Sequence, residues 1–525
     1  MNRANRYFWT TIGLSILLGF LIGLNPFWDN PSDEQLLDSS KKIDQFFRYL
    51  DQYYVDAIDT DSLATDVIQA MIEKLDPHSF YIPPEELIRI KENMQGNFVG
   101  IGVSFFMISD SINVIRVLRG GPSKKADIRP GDRILIANKD TLFGKNLTSE
   151  DVVQRLRGKR ESRVALTVYR PSSKQLIQIE VLRAPVPIRS VIHYPIASKT
   201  GYIKINRFAE TTNQEFQRAI TDLKASGMEN MILDLRDNPG GYIHAAEQIA
   251  DTFLTEGQVI VSVESNQGEK QVTVSSSGGQ FETGAVYVLL NGESASASEV
   301  VAGALQDNDR ALLLGQRSFG KGLVQQQMPL GENEAVRLTT ARYYTPTGRS
   351  IQRPYGKGNE AYYNELSERQ QTGEIADAKK IPTNDTLVFT TPKGRTVFGG
   401  GGIVPDIYVE VNQTMEEKWD NYLLRSNLIN HFVFTELDKQ RENFSFQDRS
   451  TFINSPLTKK EKWLEALKGY LEEKAIPISR PNDELAQVTI KAYLALQLFD
   501  EAAQLAILNK HDQFVQEALH QLKTN

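Results

Sequence analysis

Cysteine is absent from all 525 residues. That excludes disulfides, cysteine nucleophiles, thiolate zinc sites and iron–sulfur clusters together. Histidine is scarce at six residues, so a histidine-rich metal site has little to draw on, and neither metal nor cofactor is expected. Catalysis would fall to Ser, Lys, Asp, Glu or a lone His. Strong net charge is also lacking: 59 Lys and Arg against 66 Asp and Glu give −7. No general electrostatic case for nucleic acid follows, since such partners favour basic patches. Internal repeats and low-complexity tracts are missing as well. With 24% charged and 40% hydrophobic residues, the composition is that of a folded chain rather than a long disordered one. The length suits three or four domains of roughly 100–200 residues each.

Charge disappears locally near the N-terminus. Arg3 and Arg6 precede an uncharged run from Tyr7 to Phe27, and Asp29, Asp33 and Glu34 follow it. About 20 apolar residues suffice to span a bilayer core. Basic residues before the run and acidic ones after it orient the bulk of the chain outward. No A-x-A-like site follows, so residues 1–28 are expected to be a signal anchor; a cleaved signal peptide is the alternative. Either way the remaining chain is expected outside the cytoplasm.

Residues 29–92 are expected to be an N-terminal helical region: after a polar linker at 29–40, residues 41–75 have helical spacing, with Ile43, Phe46, Phe47, Leu50 and Tyr54 as one set and Leu63, Val67, Ala70, Met71 and Leu75 as another. The period changes from residue 96, and 93–183 is expected to be a small β-rich unit. Its one clear helix has Thr148 or Ser149 as cap and Val152, Val153 and Leu156 as apolar face. Residues 184–412 alternate strands and helices, which argues for an α/β sheet. Within them 354–397 is a polar excursion with the look of a long surface loop. Residues 413–525 are charged and helical, with a stripe at Leu485, Val488, Ala492, Leu496 and Phe499.

The densest chemistry lies between Asn291 and Gln327. Ser294, Ser296 and Ser298 follow a buried strand and precede a helix. A serine at such a turn can be a nucleophile, with an oxyanion held by neighbouring N–H groups; ordinary helix capping is the plain alternative. Lys321 stands in FGKG between apolar strands. Burial would lower its pKa, and a neutral amine can take a hydroxyl proton. Gln325 lies four residues on, on the same side of an extended strand, where its amide could orient the amine. The glycines of DLRDNPGG, Gly240 and Gly241, can expose N–H groups. Asp234 and Asp237 flank Arg236 and are expected to make ion pairs. His193 and His244 are expected to be structural, and His78 has no assigned role.

DLRDNPGG (234–241), SASASE (294–299) and FGKGLVQ (319–325), taken in order, resemble the carboxy-terminal processing peptidases, serine peptidases of family S41. LDPHS (75–79), GGPSKKADIRPGDRIL (120–135), ARYYTPTGRSIQ (341–352) and GGGGIVPD (399–406) add to the resemblance, which spans about residues 41–410. It implies a multidomain α/β protein: a crotonase/ClpP-like peptidase core with an inserted PDZ-like β-rich domain and helical regions at both ends. It also implies Ser296 as nucleophile, Lys321 as general base, Gln325 as its support, and Ala297 with Gly240 and Gly241 as oxyanion donors.

GNFVGIGVSF (96–105) resembles the PDZ segment that receives the C-terminal end of a polypeptide, with Gly100, Ile101 and Gly102 as the receiving loop. Such units add the peptide to a sheet edge. The implied partners are proteins with apolar, unstructured C-termini. The implied location is a bacterial inner membrane, crossed once, with the catalytic units on the periplasmic side. A homo-oligomer or an adaptor protein is a further expected partner. Arg157 is a candidate contact from the PDZ-like unit to the core, a solvated helix-end arginine being the equal alternative. Two rival classes stay open: a catalytically silent PDZ-containing scaffold, and an acyl-transfer enzyme of crotonase type, for which no acyl-CoA site is evident.

Overall fold

The computed structural model describes residues 31–382, 386–411, 426–444, 448–476 and 483–524. The expected anchor at 1–28 lies outside the described residues. Among those described, no helix is long and apolar enough to cross a membrane. The protein divides after Leu75 into two units.

The first unit holds α1 (Pro31–Tyr53) and α2 (Thr60–Ile72). Asp59 starts α2 by accepting from the N–H groups of Asp61 (3.1 Å) and Ser62 (3.2 Å), which satisfies donors that a helix start leaves open. α1 begins inside the expected polar linker and ends one residue before Tyr54; of the expected stripe, Ile43 and Phe46 are exposed, as is Tyr54 beyond the helix.

In the second unit, β1 (Phe80–Ile82) leads into α3 (Pro84–Gln95). Proline opens α3, and Gly96 ends it in the left-handed region at φ 72°, the usual asymmetry of helix ends. Then β2 (Asn97–Gly100) pairs antiparallel with β9 (Ala184–Pro187). This two-stranded stalk leads into and out of the β-rich unit. That unit contains β3 (Val103–Ile108), β4 (Ser111–Val117), α4 (Pro122–Lys125), β5 (Arg133–Ala137), β6 (Asp140–Thr141), α5 (Ser149–Leu156), β7 (Arg163–Arg170) and β8 (Gln175–Leu182). Its sheet runs β3-β4-β5-β7-β8, with β6 beside β5. Val164, Leu166 and Val168 alternate inward along β7, the period of a half-buried strand. Thr148 caps α5, and Val152 and Leu156 are its buried face. The segment NFVGIGVSFFM is two strands, because the backbone turns at Ile101–Gly102 (Gly102 φ 78°).

The core follows with β10 (Val191–Ala197), β11 (Thr200–Ile205), α6 (Thr212–Ala225), β12 (Asn230–Asp234), α7 (Ile243–Asp251), β13 (Val259–Ser265), β14 (Lys270–Val274), β15 (Val286–Leu290), α8 (Ala297–Asp307), β16 (Leu312–Gly315), β17 (Leu323–Leu330), β18 (Glu334–Tyr344), α9 (Asn359–Gln371), β19 (Val388–Thr390), β20 (Thr396–Phe398) and β21 (Ile407–Tyr408). The main sheet runs β10-β11-β12-β15-β16-β21 and is parallel from β11 onward. Parallel strands need cover on both faces. Phe216, Ile220, Ile249, Val301 and Leu305 of α6, α7 and α8 cover one face. A second sheet, β1-β18-β13-β14 with β17 on β18, stands beside it.

The other face of the main sheet is covered by residues near the C-terminus. After α10 (Asn427–Asp438), α11 (Arg449–Asn454), α12 (Lys460–Glu473) and α13 (Asp483–Leu498) come α14 (Glu501–Leu508) and α15 (Gln513–Thr524). Val515 and Ala518 of α15 pack with Tyr202, Ile232, Tyr287, Leu289 and Leu314. Helices α10–α13 have a core of their own, with Phe432, Trp463, Leu467 and Leu494 buried. On α13 burial is broader than the expected stripe and includes Ile490, Leu494 and Ala495. The C-terminal helices meet the β-rich unit through Arg133 and Asp438 of α10 (2.5 Å), Arg116 and Glu501 of α14 (3.1 Å) and the Phe106 and Phe434 rings.

Candidate active site

The parallel strands β12 and β15 end side by side, and the loops leaving them build the site. All five residues of β15 are buried. After it the three serines part ways. Ser294 and Ser298 are fully buried. The Ser294 hydroxyl donates to the Leu235 carbonyl (2.9 Å), and the Ser298 hydroxyl donates to the Asn238 carbonyl (2.9 Å). They pin the turn to the loop after β12. Ser296 between them is half-buried and opens onto a cleft of about 360 Å³. Its backbone sits at φ 54°, ψ −115°, a region non-glycine residues rarely occupy and one that marks functional turns. Ser296 is the residue before α8, but the Glu299 N–H there bonds to its backbone carbonyl (2.8 Å).

The NPGG loop fits closely under this turn. A Cβ on Gly240 would lie 2.8 Å from the Ser296 Cβ, and one on Gly241 (φ 145°) would lie 2.1 Å from the Phe208 carbonyl oxygen. Glycine is required at both. Their N–H groups differ. Gly240 donates to the Asn238 side chain (2.9 Å), so it is not the free donor expected from the sequence. Among the described residues no protein acceptor takes the N–H of Gly241 or of Ala297, and both residues line the cleft. Asp234 is buried in a bidentate pair with Arg236 (2.6 and 2.9 Å), and Asp237 pairs with Lys204 (3.9 Å) and accepts from the Asn291 amide (2.7 Å), so both make the ion pairs expected.

Lys321 lines the same cleft. Burial pulls its amine down to about 8; the Arg337 charge acts the same way, and Asp76 and Glu299 oppose it. Its Nζ donates to Gln325 Oε1 at 2.8 Å, the contact the four-residue spacing anticipates. Among the described residues no hydrogen bond joins Nζ to the Ser296 hydroxyl.

Three features went unread in the sequence. Glu299, fully buried, accepts from the N–H groups of Ser296 (2.9 Å), Gly320 (2.7 Å) and Lys321 (2.9 Å) and from the Ser318 hydroxyl. One carboxylate thus joins the serine turn to the lysine loop. Burial raises its pKa against those bonds. The signal was an acid three residues after a helix-start serine in an otherwise small and apolar helix. Tyr343 adds a second tie, its hydroxyl 2.8 Å from the Lys321 carbonyl and 3.2 Å from that of Ser296. The third is α9, within the stretch expected as a polar surface loop. Its Arg369 is buried and donates to the carbonyls of Arg317 (3.1 Å), Ser318 (2.9 Å) and Phe319 (3.3 Å), directly behind the lysine loop.

The remaining expected residues fall as follows. His193, on β10, pairs with Asp222 (3.2 Å) and is not among the residues lining the cleft. His244 stacks on Tyr242 and lines the cleft edge. His78 is buried; burial first, then the Lys321 charge, holds its imidazole down at about 3. In the β-rich unit, the carbonyls of Ile101 and Gly102 accept from Ser123 and Leu118 (2.9 Å each). Among the described residues their own N–H groups have no protein acceptor, while Gly100 ends β2 in its pairing with β9. Arg157 donates to Glu92 of α3 (2.6 Å) and lies over the Phe98 ring. It therefore reaches the helix that lines the cleft through Ile90, Lys91 and Met94, not the core sheet.

An α/β sheet with a serine turn, a buried lysine and a separate β-rich unit on a stalk is the plan of a PDZ-bearing peptidase. Residues 199–358 match the Peptidase family S41, residues 99–181 match the PDZ domain, and residues 419–500 match a family of unknown function, DUF8443. The chain is 36% identical over 307 residues to the carboxy-terminal-processing protease of Bartonella bacilliformis, covering 57% of this chain and 69% of that protein. It is 31% identical over 324 residues to carboxy-terminal processing protease CtpB of Bacillus subtilis, covering 61% and 67%. A solved photosystem II D1 C-terminal processing protease is 28% identical, covering 58% of this chain and 82% of that one, with a TM-score of 0.35. The chain belongs to the carboxy-terminal processing proteases of peptidase family S41.

Proposed function

We propose that the protein is a serine endopeptidase in which Ser296 is the nucleophile and Lys321 the general base. The observation that carries this reading is that the middle serine of the turn, alone of the three, opens onto the cleft that also holds a lysine lowered by burial to about 8. Lys321, neutral, takes the Ser296 proton as the hydroxyl oxygen attacks the scissile carbonyl. The N–H groups of Ala297 and Gly241 receive the oxyanion. The protonated lysine gives its proton to the leaving amine, an acyl-enzyme forms on Ser296, and water releases the acid. Gln325 holds the amine.

The PDZ domain supplies the substrate's address. In this reading the Ile101 and Gly102 N–H groups, directly after Gly100 at the end of β2, take the C-terminal carboxylate of a substrate protein, and its apolar, unstructured end is led to Ser296. The charge-free run at 7–27, with Arg3 and Arg6 before it, supports an anchor in a bacterial inner membrane with these units on the periplasmic side. Cleavage of an unfolded protein ending in apolar residues, by wild type and by Ser296→Ala, tests the reading. The wild type is expected to shorten it and the variant to leave it intact; equal cleavage by both would refute the assignment.

A further inference from the structure

Gln325 is a primary amide whose two ends have opposite roles: one accepts, the other donates. Which end faces Lys321 decides what the amine can do. With Oε1 toward Nζ, as found at 2.8 Å, the amide takes an N–H and leaves the lone pair of a neutral amine available for a hydroxyl proton. Turned over, the amide would donate an N–H into that lone pair and occupy it. Nothing in the amide itself chooses between the two; the partner at its far end does. That partner is the backbone carbonyl of His78, which accepts from Gln325 Nε2.

The carbonyl is held in place from several sides. Asp76 Oδ1 accepts from the N–H groups of His78 (2.9 Å) and Ser79 (3.1 Å), and Oδ2 accepts from the Ser79 hydroxyl (2.6 Å). Thr339 ties this turn to the strand beside Gln325. Its hydroxyl donates to Asp76 Oδ1 (3.1 Å) and its N–H to Ser79 Oγ (3.1 Å). Thr339 is also the register partner of Gln325 across β17 and β18. From α9, the Tyr363 hydroxyl donates to the Pro77 carbonyl, and the Tyr362 hydroxyl hydrogen-bonds His78 Nε2 at 2.8 Å. Asp76, His78 and Ser79 are all buried.

We propose that the Asp76–Ser79 turn is a positioning element of the peptidase: its His78 carbonyl orients the Gln325 amide so that the lone pair of Lys321 stays free to accept the Ser296 proton. The inference rests on the Ser296–Lys321 reading and goes beyond it by giving the turn a catalytic consequence. The turn acts through Gln325 and touches neither substrate nor the reacting atoms.

The test measures kcat and KM for cleavage of an unfolded protein with an apolar C-terminus. Asp76→Ala and Asp76→Asn are made in the wild-type and Gln325→Ala backgrounds, with Ser296→Ala as blank and thermal unfolding recorded for each. Asp76→Ala is expected to lower kcat about tenfold or more, a cost on the scale of small misplacements at a reacting centre, with KM nearly unchanged. Asp76→Asn keeps Oδ1 and restores most of the rate. Because the Asp76 charge also acts directly on the Lys321 amine, the backgrounds are compared on the plateau above pH 9, where the amine is neutral in every variant; there Asp76→Ala has no further effect in the Gln325→Ala background, since coupled residues are non-additive. Wild-type kcat in Asp76→Ala, or an equal loss in both backgrounds, overturns the proposal. Should Asp76→Ala melt too low to be compared, Tyr363→Phe, which removes only the hydroxyl on the Pro77 carbonyl, takes its place under the same criteria. Cleavage by the Ser296→Ala blank would instead sink the Ser296–Lys321 reading, so the two failures are distinct.

Discussion

Three serines stand in one run of small residues, and only the direction of the turn separates their roles. Ser294 and Ser298 are spent on carbonyls of the neighbouring loop, which leaves Ser296 facing the cleft. The lysine must be neutral to act as a base. With its amine at about 8, the neutral fraction grows as pH rises, so kcat/KM should climb between roughly pH 7 and 9 and level off above. Arg337 is a like charge that lowers the amine. Arg337→Gln should make Lys321 hold its proton more tightly and move the midpoint of the pH–rate profile upward; a downward shift would contradict this. Gly240→Ala places a Cβ 2.8 Å from the Ser296 Cβ, so turnover should fall on the order of 10²-fold, read from steady-state rates.

Elements differ in how clearly the sequence announces them, and the reason is what each one buries. Strands β12 and β15 are covered on both faces and read as continuous apolar runs, MIL and VYVLL. The serine turn and the lysine loop stand out because SASASE and FGKGLVQ follow DLRDNPGG in the order that the resemblance to the S41 peptidases implies, and the fold brings Ser296 and Lys321 into one cleft. Helix α9 was not legible, because what it buries is charge. Glu365 accepts from Arg317 (2.8 Å) and Arg369 (3.0 Å) and also pairs with Arg353. Burial works against ionisation, yet the three guanidiniums hold its carboxyl down to about 2. A hydropathy pattern sees such a helix as a polar loop. Arg369→Ala would leave three buried carbonyls without a donor at about 1–3 kcal/mol each in the worst case. A fall in melting temperature together with reduced kcat is expected; an unchanged melting temperature would show α9 to be dispensable. The strained backbone of Ser296 and the bonding of Gly240 to Asn238 left no trace in residue order, since both arise from loops that meet only in the fold.

The whole molecule depends on its last residues. The C-terminal helices first build a separate bundle against the PDZ domain and then return, through α14 and α15, to cover the open face of the peptidase sheet. Asp512 at the start of α15 pairs with Arg236 (2.9 Å), a few residues before the NPGG loop. Val515 is fully buried on the sheet. Val515→Asp places a carboxylate among Tyr202, Ile232 and Leu314 and should destabilise by more than about 3 kcal/mol, seen as an early thermal transition. A melt like that of wild type would mean that α15 does not cover the sheet. The most direct measurement of the central claim is the rate at which purified wild type, Ser296→Ala and Lys321→Ala shorten one unfolded protein with an apolar C-terminus. The Ser296–Lys321 pair predicts steady cleavage by the wild type and none above background by either variant. Normal turnover by either variant would contradict it.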